Sequence, residues 1–336
     1  MKRIIISRTD RIGDVILTSA AFGPLRKTFP DASIRILVRP ELVPLFANTP
    51  EIEAVPCPPG AGAKGFHRHR FREWRDYFRN NPADCIVFLH PDNDLQFAAA
   101  AAKIPRRLGY GKQLGRFALN ESIPYTRHLG QKHEAVCNFD LLQKIGCALP
   151  DPIQPFLHVE DFQKDAGEIT RKPYALFHPA AFGNKPRWSA QKYAELAEKL
   201  IQEFDWNLIL IGSEPSPATA EAFLAHGIPD SKWEDRGGKD SLLETASLLK
   251  GAAMVVSRDS GPAHLAAAVG APLVCLMGQC DPIHSPTRWA PIGPRARTII
   301  SDLPPQKGES RQDRWARCFD AISAEQVLSA IRELTR

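Results

Sequence analysis

Three short stretches of the 336-residue chain bring together side chains that could do chemistry. The first, Ser7-Arg8-Thr9-Asp10-Arg11-Ile12-Gly13-Asp14, ends in a glycine and a carboxylate at the start of a helix. Asp14 there either complements the helix dipole or is held as a general base that takes a proton from a hydroxyl. The second, Arg258-Asp259-Ser260-Gly261-Pro262-Ala263-His264, runs from a strand into a helix. Backbone N–H groups at Ser260, Gly261 and Ala263 are expected to point outward and suit a phosphate, with Pro262 in the first turn. The plainer alternative makes Asp259 or Ser260 only a helix cap. The third, His178 to Trp188, carries Lys185 and Arg187 on a glycine-containing loop. Two cations so placed either neutralise a diphosphate leaving group or form a solvated basic loop.

A fourth stretch differs in kind. Residues 64–79 hold six Lys/Arg and two His against two acids, interleaved with Phe66, Phe71, Trp74, Tyr77 and Phe78. Arginines beside aromatics on an amphipathic segment suit an anionic surface or a lipid headgroup, and the alternative is a solvated face. The run Lys103 to Arg116, with five Lys/Arg and no acid, adds to the same field.

The elements that must position these stretches follow from the apolar pattern. Ile4-Ile5-Ile6 reads as a first strand, followed by a helix from about Asp14 to Thr28 and strands at Ile34–Val38 and Cys85–Leu89. Residues 57–82 read as a long loop with a helical turn. In the second half, Tyr174–His178 is a strand, and Ser189 caps a helix whose Tyr193, Leu196, Ala197, Leu200, Ile201 and Phe204 share one face. Asn207–Ile211, Met254–Ser257 and Leu273–Met277 are further strands. A capping box at Ser241–Glu244 opens one helix, Pro262–Val269 forms another, and Ala324–Leu334 is the last. Strands alternating with helices predict parallel sheets covered on both faces, and ligands bind such sheets in the loops after their strands. The expected fold class is α/β: two doubly wound, Rossmann-like domains facing across a cleft, joined near Asp151–Pro155.

Composition narrows the function. With 43% hydrophobic and 24% charged residues the chain is ordinary globular protein. No apolar run is long enough to span a bilayer, and Met1–Ser7 reads as a strand in place of a secretory segment. Seven cysteines without any C-x-x-C spacing suit buried thiols in a reducing compartment better than disulfides or zinc. Residues 1–155 carry 22 Lys+Arg against 15 Asp+Glu, whereas residues 156–336 carry 21 against 23. A basic first half suggests an anionic partner for that domain. No G-x-G-x-x-G fingerprint supports a dinucleotide dehydrogenase and no P-loop is present.

These stretches together resemble glycosyltransferase family 9, the ADP-heptose:lipopolysaccharide heptosyltransferases. Arg11-Ile-Gly-Asp-Val-Ile-Leu-Thr18 is similar to that family's opening motif. Gly238 through Gly278 is similar to its donor-domain pattern, including Asp259 to Pro272, and Gly278 to Pro282 follows it. Cys318 to Ile322 is similar to its C-terminal element. The resemblance implies a GT-B fold: an acceptor domain over 1–155, a nucleotide-sugar domain over 156–318, and a final helix in 319–336 crossing back to the first domain. It further implies inverting transfer of heptose from ADP-heptose to a lipopolysaccharide inner-core acceptor, with Asp14 as base and no divalent metal or cofactor required. By the same resemblance Lys185, Arg187, Asp259, Ser260, Gly261 and His264 hold the donor, and Gly13, Arg68, Arg70, Arg72 and Arg75 meet the acceptor. Family members usually read Lys-Arg-Trp-Pro or Lys-x-Trp-Pro where this chain has Lys-Pro-Arg-Trp-Ser, so either Lys185 or Arg187 could take the diphosphate. The implied partners are the nucleotide sugar, an anionic lipid-linked oligosaccharide and the cytoplasmic face of an inner membrane, met peripherally by a monomer, with no nucleic acid. The rival readings are a GT-B transferase using another nucleotide sugar and a non-enzymatic two-domain binding protein.

Overall fold

The computed structural model describes residues 1–57, 66–160, 168–179, 187–278 and 281–336. The chain divides into two units, Met1–His158 and Val159–Arg336, each built on one six-stranded parallel sheet. Unit 1 contains strands β1 (Arg3–Ser7), β2 (Ser33–Val38), β3 (Glu53–Pro56), β4 (Cys85–Phe88), β5 (Arg106–Tyr110) and β6 (Glu121–Ile123). Its helices are α1 (Ile12–Thr18), α2 (Phe22–Thr28), α3 (Arg68–Asn80), α4 (Asn93–Ala101) and α5 (Glu134–Leu142). Unit 2 contains β7 (Tyr174–His178), β8 (Asn207–Leu210), β9 (Trp233–Asp235), β10 (Met254–Arg258), β11 (Leu273–Gly278) and β12 (Ala296–Ser301). Its helices are α6 (Ala190–Phe204), α7 (Pro217–Ala225), α8 (Leu242–Gly251), α9 (Gly261–Ala268), α10 (Pro286–Trp289), α11 (Arg311–Asp320) and α12 (Ala324–Leu334).

The strand orders, β3-β2-β1-β4-β5-β6 and β12-β11-β10-β7-β8-β9, describe one topology used twice. Each unit starts in the middle of its sheet, builds to one edge, and returns beside its first strand to build to the other. The switch therefore falls between β1 and β4 in unit 1, and between β7 and β10 in unit 2. Connections leaving the carboxyl ends of two such strands diverge and leave a crevice. All four of these strands are apolar along most of their length and buried, as a sheet covered on both faces requires.

Two expectations change. Residues 68–80, read as loop with a helical turn, form the thirteen-residue helix α3. Arg70, Trp74 and Phe78 recur every four residues on its buried face, and Trp74 and Phe78 join a core with Ile86, Phe88 and Leu95. The final helix, expected to cross back to the first domain, packs into the core of unit 2. Val327, Leu328 and Ile331 of α12 share the core of unit 2 with Leu196 and Leu200 of α6, and Arg332 pairs with Glu203 of α6 at 2.6 Å. The apolar stripe of α12 thus meets a matching stripe within its own unit, so residues 319–336 belong to unit 2 and no third segment stands apart.

Local signals explain two of the helix starts in unit 2. Ser189 accepts the Lys192 N–H at 3.3 Å to open α6, and the capping box of Ser241 and Glu244 opens α8. The six described cysteines are free and buried. Among the described residues, no helix is long and apolar enough to cross a membrane.

Candidate active site

The crevice of unit 1 holds a buried ionic network around Asp14. Arg8, placed just beyond β1 by a backbone bond to Leu37, is wholly buried and donates to an Asp14 carboxylate oxygen. The same guanidinium meets Glu134 at 3.0 Å, Asp10 at 2.8 Å and the Asn138 side-chain oxygen at 2.8 Å. Glu134 opens α5 and also takes Arg127 at 2.5 Å, while Arg127 lies 4.4 Å over the Tyr110 ring. His90, beyond β4, reaches Asp10 at 3.3 Å. Two guanidiniums therefore face three carboxylates in a space almost without water. Among these carboxylates Asp14 has its pKa pushed up. Burial, then the charge of Asp10, and further that of Glu134 raise it to about 6, against the pull of Arg8. Asp10 goes the other way: burial would raise it, but Arg8 and His90 more than offset that and hold it well below the usual carboxylate range.

This separation of acidities suits a base that must be ionised yet still able to take a proton near neutral pH. Arg8 engages one oxygen of Asp14, and 11% of the side chain remains exposed for a partner. Gly13 is buried beside it in the first turn of α1. Sequence spacing supplied Asp14 but neither Arg8, Asp10, Glu134 nor Asn138 as its neighbours. Arg8 and Asp10 lay within the same motif; Glu134 and Asn138 come from a helix more than a hundred residues away, with no local signal.

In unit 2 the ends of β7 and β10 lie side by side, with His178 in register with Ser257. Ser260 occupies the cap position of α9 but its side chain makes no cap bond. Its Oγ lies 3.2 Å from His178 Nδ1 and 3.1 Å from Ser257 Oγ. The cap alternative for Ser260 is thereby set aside, and Pro262 sits in the first turn as read from sequence. The Ala263 N–H, expected to face outward, instead donates to the Ser260 carbonyl at 3.1 Å because the helix closes its first turn there. Asp259 approaches His264 Nε2 at 3.7 Å, and His264 is buried with Nδ1 unpaired among the described residues. Burial pushes the His178 imidazole down to about 4, helped by the charge of Arg258.

Arg258 is the residue of this site that sequence reasoning passed over. It is 3% exposed, its Nε is buried without a partner among the described residues, and its guanidinium stands 5.7 Å from the Trp315 ring and 5.6 Å from that of Phe319. Burial lowers its pKa, Asp259 partly offsets that, and the nearby charge of Arg187 lowers it further. A desolvated cation with no ion pair among the described residues is costly and calls for an anion. Arg187 itself is exposed at the foot of α6. Lys185 lies outside the described residues. Gly278, closing β11, packs so tightly on Trp315 that a Cβ there would meet the indole at 2.7 Å, which fixes α11 against the same end of the sheet.

The arginines of α3 divide. Arg68 and Arg72 are exposed. Arg75 is half-buried and donates to its neighbour Asp76 at 2.9 Å. Arg70, expected to face the acceptor, is buried and holds Asp92 at 2.9 Å and Asp94 at 3.0 Å at the start of α4. Asp92 is the cap of α4, so Arg70 bolts one helix to the next. Among the described residues, no three His, Cys, Asp or Glu side chains converge as a metal-binding group.

Two Rossmann-type sheets, each with ionisable groups gathered at its switch point, define a GT-B fold. Glycosyltransferase family 9 (heptosyltransferase) matches residues 79–318, and the chain belongs to that family. It is a glycosyl-transferring enzyme. The lipopolysaccharide heptosyltransferase 2 of Salmonella typhimurium is 27% identical, the match covering 99% of this chain and 98% of that one. The Escherichia coli lipopolysaccharide heptosyltransferase 3 is 23% identical over 96% of this chain and 95% of its own. Among solved structures, Escherichia coli ADP-heptose lipopolysaccharide heptosyltransferase II shares the fold with a TM-score of 0.76 at 24% identity, covering 100% of this chain and 98% of that one. A family 9 glycosyltransferase from Veillonella parvula has a TM-score of 0.77 at 20% identity, covering 99% and 97%.

Proposed function

We propose that the chain transfers heptose from ADP-heptose to a hydroxyl of a lipopolysaccharide inner-core acceptor, with inversion at the anomeric carbon. The observation that carries the reading is Asp14, buried, clamped by Arg8, and raised to about 6 at the switch point of the first sheet. The acceptor oxygen attacks the anomeric carbon opposite the nucleotide while Asp14 takes its proton. The bond from that carbon to the diphosphate oxygen breaks, and ADP leaves with the charge. Arg258, Arg187 and the N–H groups of Ser260 and Gly261 at the start of α9 stabilise the leaving group. Purified protein incubated with ADP-heptose and heptose-deficient core oligosaccharide is expected to add one heptose by mass spectrometry. Faster transfer from UDP- or GDP-sugars would sink this reading and favour a transferase of another surface glycan.

Fixed cations in place of a divalent ion imply that donor binding persists in excess EDTA. Calorimetric titration with ADP under those conditions separates the candidates. Arg258→Met is expected to weaken ADP by roughly 1.5–3 kcal/mol, the range of a charge-assisted hydrogen bond, and Arg187→Ala by less because water screens it. Unchanged ADP affinity in Arg258→Met removes that residue from the donor site.

The reading also places the enzyme as a monomer at the cytoplasmic face of the inner membrane, held peripherally and meeting an anionic lipid-linked acceptor. Its support is the excess of basic over acidic residues in residues 1–155 and the exposed Arg68 and Arg72. Such attraction is screened within about 8 Å at physiological salt. Raising the salt should therefore raise the KM for acceptor far more than that for donor. Changing Arg68 and Arg72 to glutamine should mimic high salt and flatten the remaining dependence; a variant with the wild-type salt slope makes α3 a solvated face.

A further inference from the structure

On the surface of unit 1 a short turn after β5 inverts the usual sorting of side chains. A 3-10 turn at Leu114–Ala118 buries its small residues, Gly115 and Ala118, and leaves Leu114 64% and Phe117 69% exposed. The inversion is built in. The Gly115 N–H donates to the Asn93 side chain at 2.8 Å, and a Cβ at Gly115 would run into Gln96. The turn is thus pressed onto α4 by its glycine, and its two large apolar side chains can only point away. Single exposed apolar residues are ordinary, but two on one short turn, pinned outward, make a patch.

The charge around the patch identifies its partner. No acidic residue occurs between Lys103 and Asn120. Lys112 precedes the turn and Arg116 lies within it, both exposed; Arg116 lies 4.7 Å over the Phe117 ring and Lys112 3.8 Å over that of Tyr125. Neither cation has a carboxylate partner among the described residues. By contrast, Arg106 pairs with Glu121, and Arg107 is tied to the carbonyls of Ala118 and Ile104 at 2.7 and 2.6 Å. Behind Phe117 lies an open hollow of about 550 Å³ lined by Gly111, Arg116, Ser122 and Pro124. The apolar surface continues along α4, where Phe97 meets the half-exposed Phe66 at 6.0 Å. An apolar tip beside two cations with no carboxylate partner among the described residues matches a lipid layer with anionic headgroups, where the rings and aliphatic tips enter the acyl boundary and the cations stay at the phosphates.

We propose that the Leu114–Phe117 turn is the element by which this enzyme docks on an anionic membrane, the side chains of Leu114 and Phe117 inserting between headgroups held by Lys112 and Arg116. The inference rests on the membrane-surface reading above and assigns it to a different element from α3. The test is co-sedimentation with vesicles of phosphatidylethanolamine and phosphatidylglycerol, against phosphatidylcholine alone. Wild-type protein is expected to bind the anionic vesicles and not the neutral ones. Leu114→Ser and Phe117→Ser are each expected to weaken binding by roughly tenfold, as burying most of a large apolar side chain gives. Removing the charge of Lys112 or Arg116 should cost roughly fivefold and abolish part of the salt dependence. The double variant L114S/F117S is expected to keep the wild-type KM for a water-soluble, delipidated acceptor and lose it for the vesicle-borne one. No binding by wild type overturns both the docking element and the membrane reading. Equal binding by wild type and L114S/F117S overturns the docking element alone. Sedimentation velocity covers the other occupant: a wild-type dimer that L114S/F117S converts to monomer makes the turn a contact between copies and overturns the proposal.

Discussion

Asp14→Asn is expected to lower heptosyl transfer by about 10²- to 10⁴-fold while leaving ADP affinity and thermal stability close to wild type. The amide keeps the shape of the carboxylate and can still accept from Arg8, so what is removed is the capacity to take a proton. The pH dependence makes the same point without a substitution. A base must be ionised to act, and burial with two neighbouring carboxylates sets Asp14 at about 6. The kcat/KM of the wild-type enzyme should therefore fall as pH drops through about 6 and level off above it. The variant should lose that limb. Near wild-type turnover in purified Asp14→Asn removes the aspartate from the reaction.

The second large effect concerns Glu134, which sits between Arg8 and Arg127 with its side chain 1% exposed. Its charge is one of the forces raising Asp14. Glu134→Gln keeps the size and removes the charge, so Asp14 should become more acidic and the acid limb of kcat/KM should move to lower pH. Removing one partner of a buried ionic pair leaves the other uncompensated, which costs roughly 3–5 kcal/mol. Urea denaturation at neutral pH measures that loss, and the pH profile of the surviving native protein measures the shift. A purely structural glutamate would lower stability and leave the limb in place. A limb that stays or moves upward therefore ends the positioning role.

The residues that could be read in advance share a property: their environment is announced by their neighbours in the chain. Ile4-Ile5-Ile6 and Cys85-Ile86-Val87-Phe88 are apolar without interruption because both faces of a central parallel strand are covered. Glu121–Ile123, Trp233–Asp235 and Ala296–Ser301 lie at or near sheet edges, are short or half-polar, and carry no such announcement. In α3 the apolar period was present at Trp74 and Phe78, but five arginines over the same helix obscured it. Arg70 shows the limit most clearly. Its type and place suggested a surface cation, and only the position of Asp92 and Asp94 across the fold reveals an internal tie. The same holds for Arg258, whose burial with Nε unpaired among the described residues is a fact of three dimensions. The direction of α12 was expected from a family habit, whereas its packing through Val327, Leu328 and Ile331 on α6 depends on a stripe that only the fold brings opposite.

The tie made by Arg70 has a thermodynamic consequence. A basic segment that ordered itself only on meeting its ligand would surrender backbone freedom at that moment, about 1–2 kcal/mol for each residue fixed. Here α3 is already held, by Arg70 on the start of α4 and by Trp74 and Phe78 in the core. What an anionic ligand has still to immobilise is the free length of the Arg68 and Arg72 side chains, about 0.5–1.5 kcal/mol apiece. Encounter and capture can then use the same geometry, and even a weakly attracted ligand meets a surface that has no folding left to do.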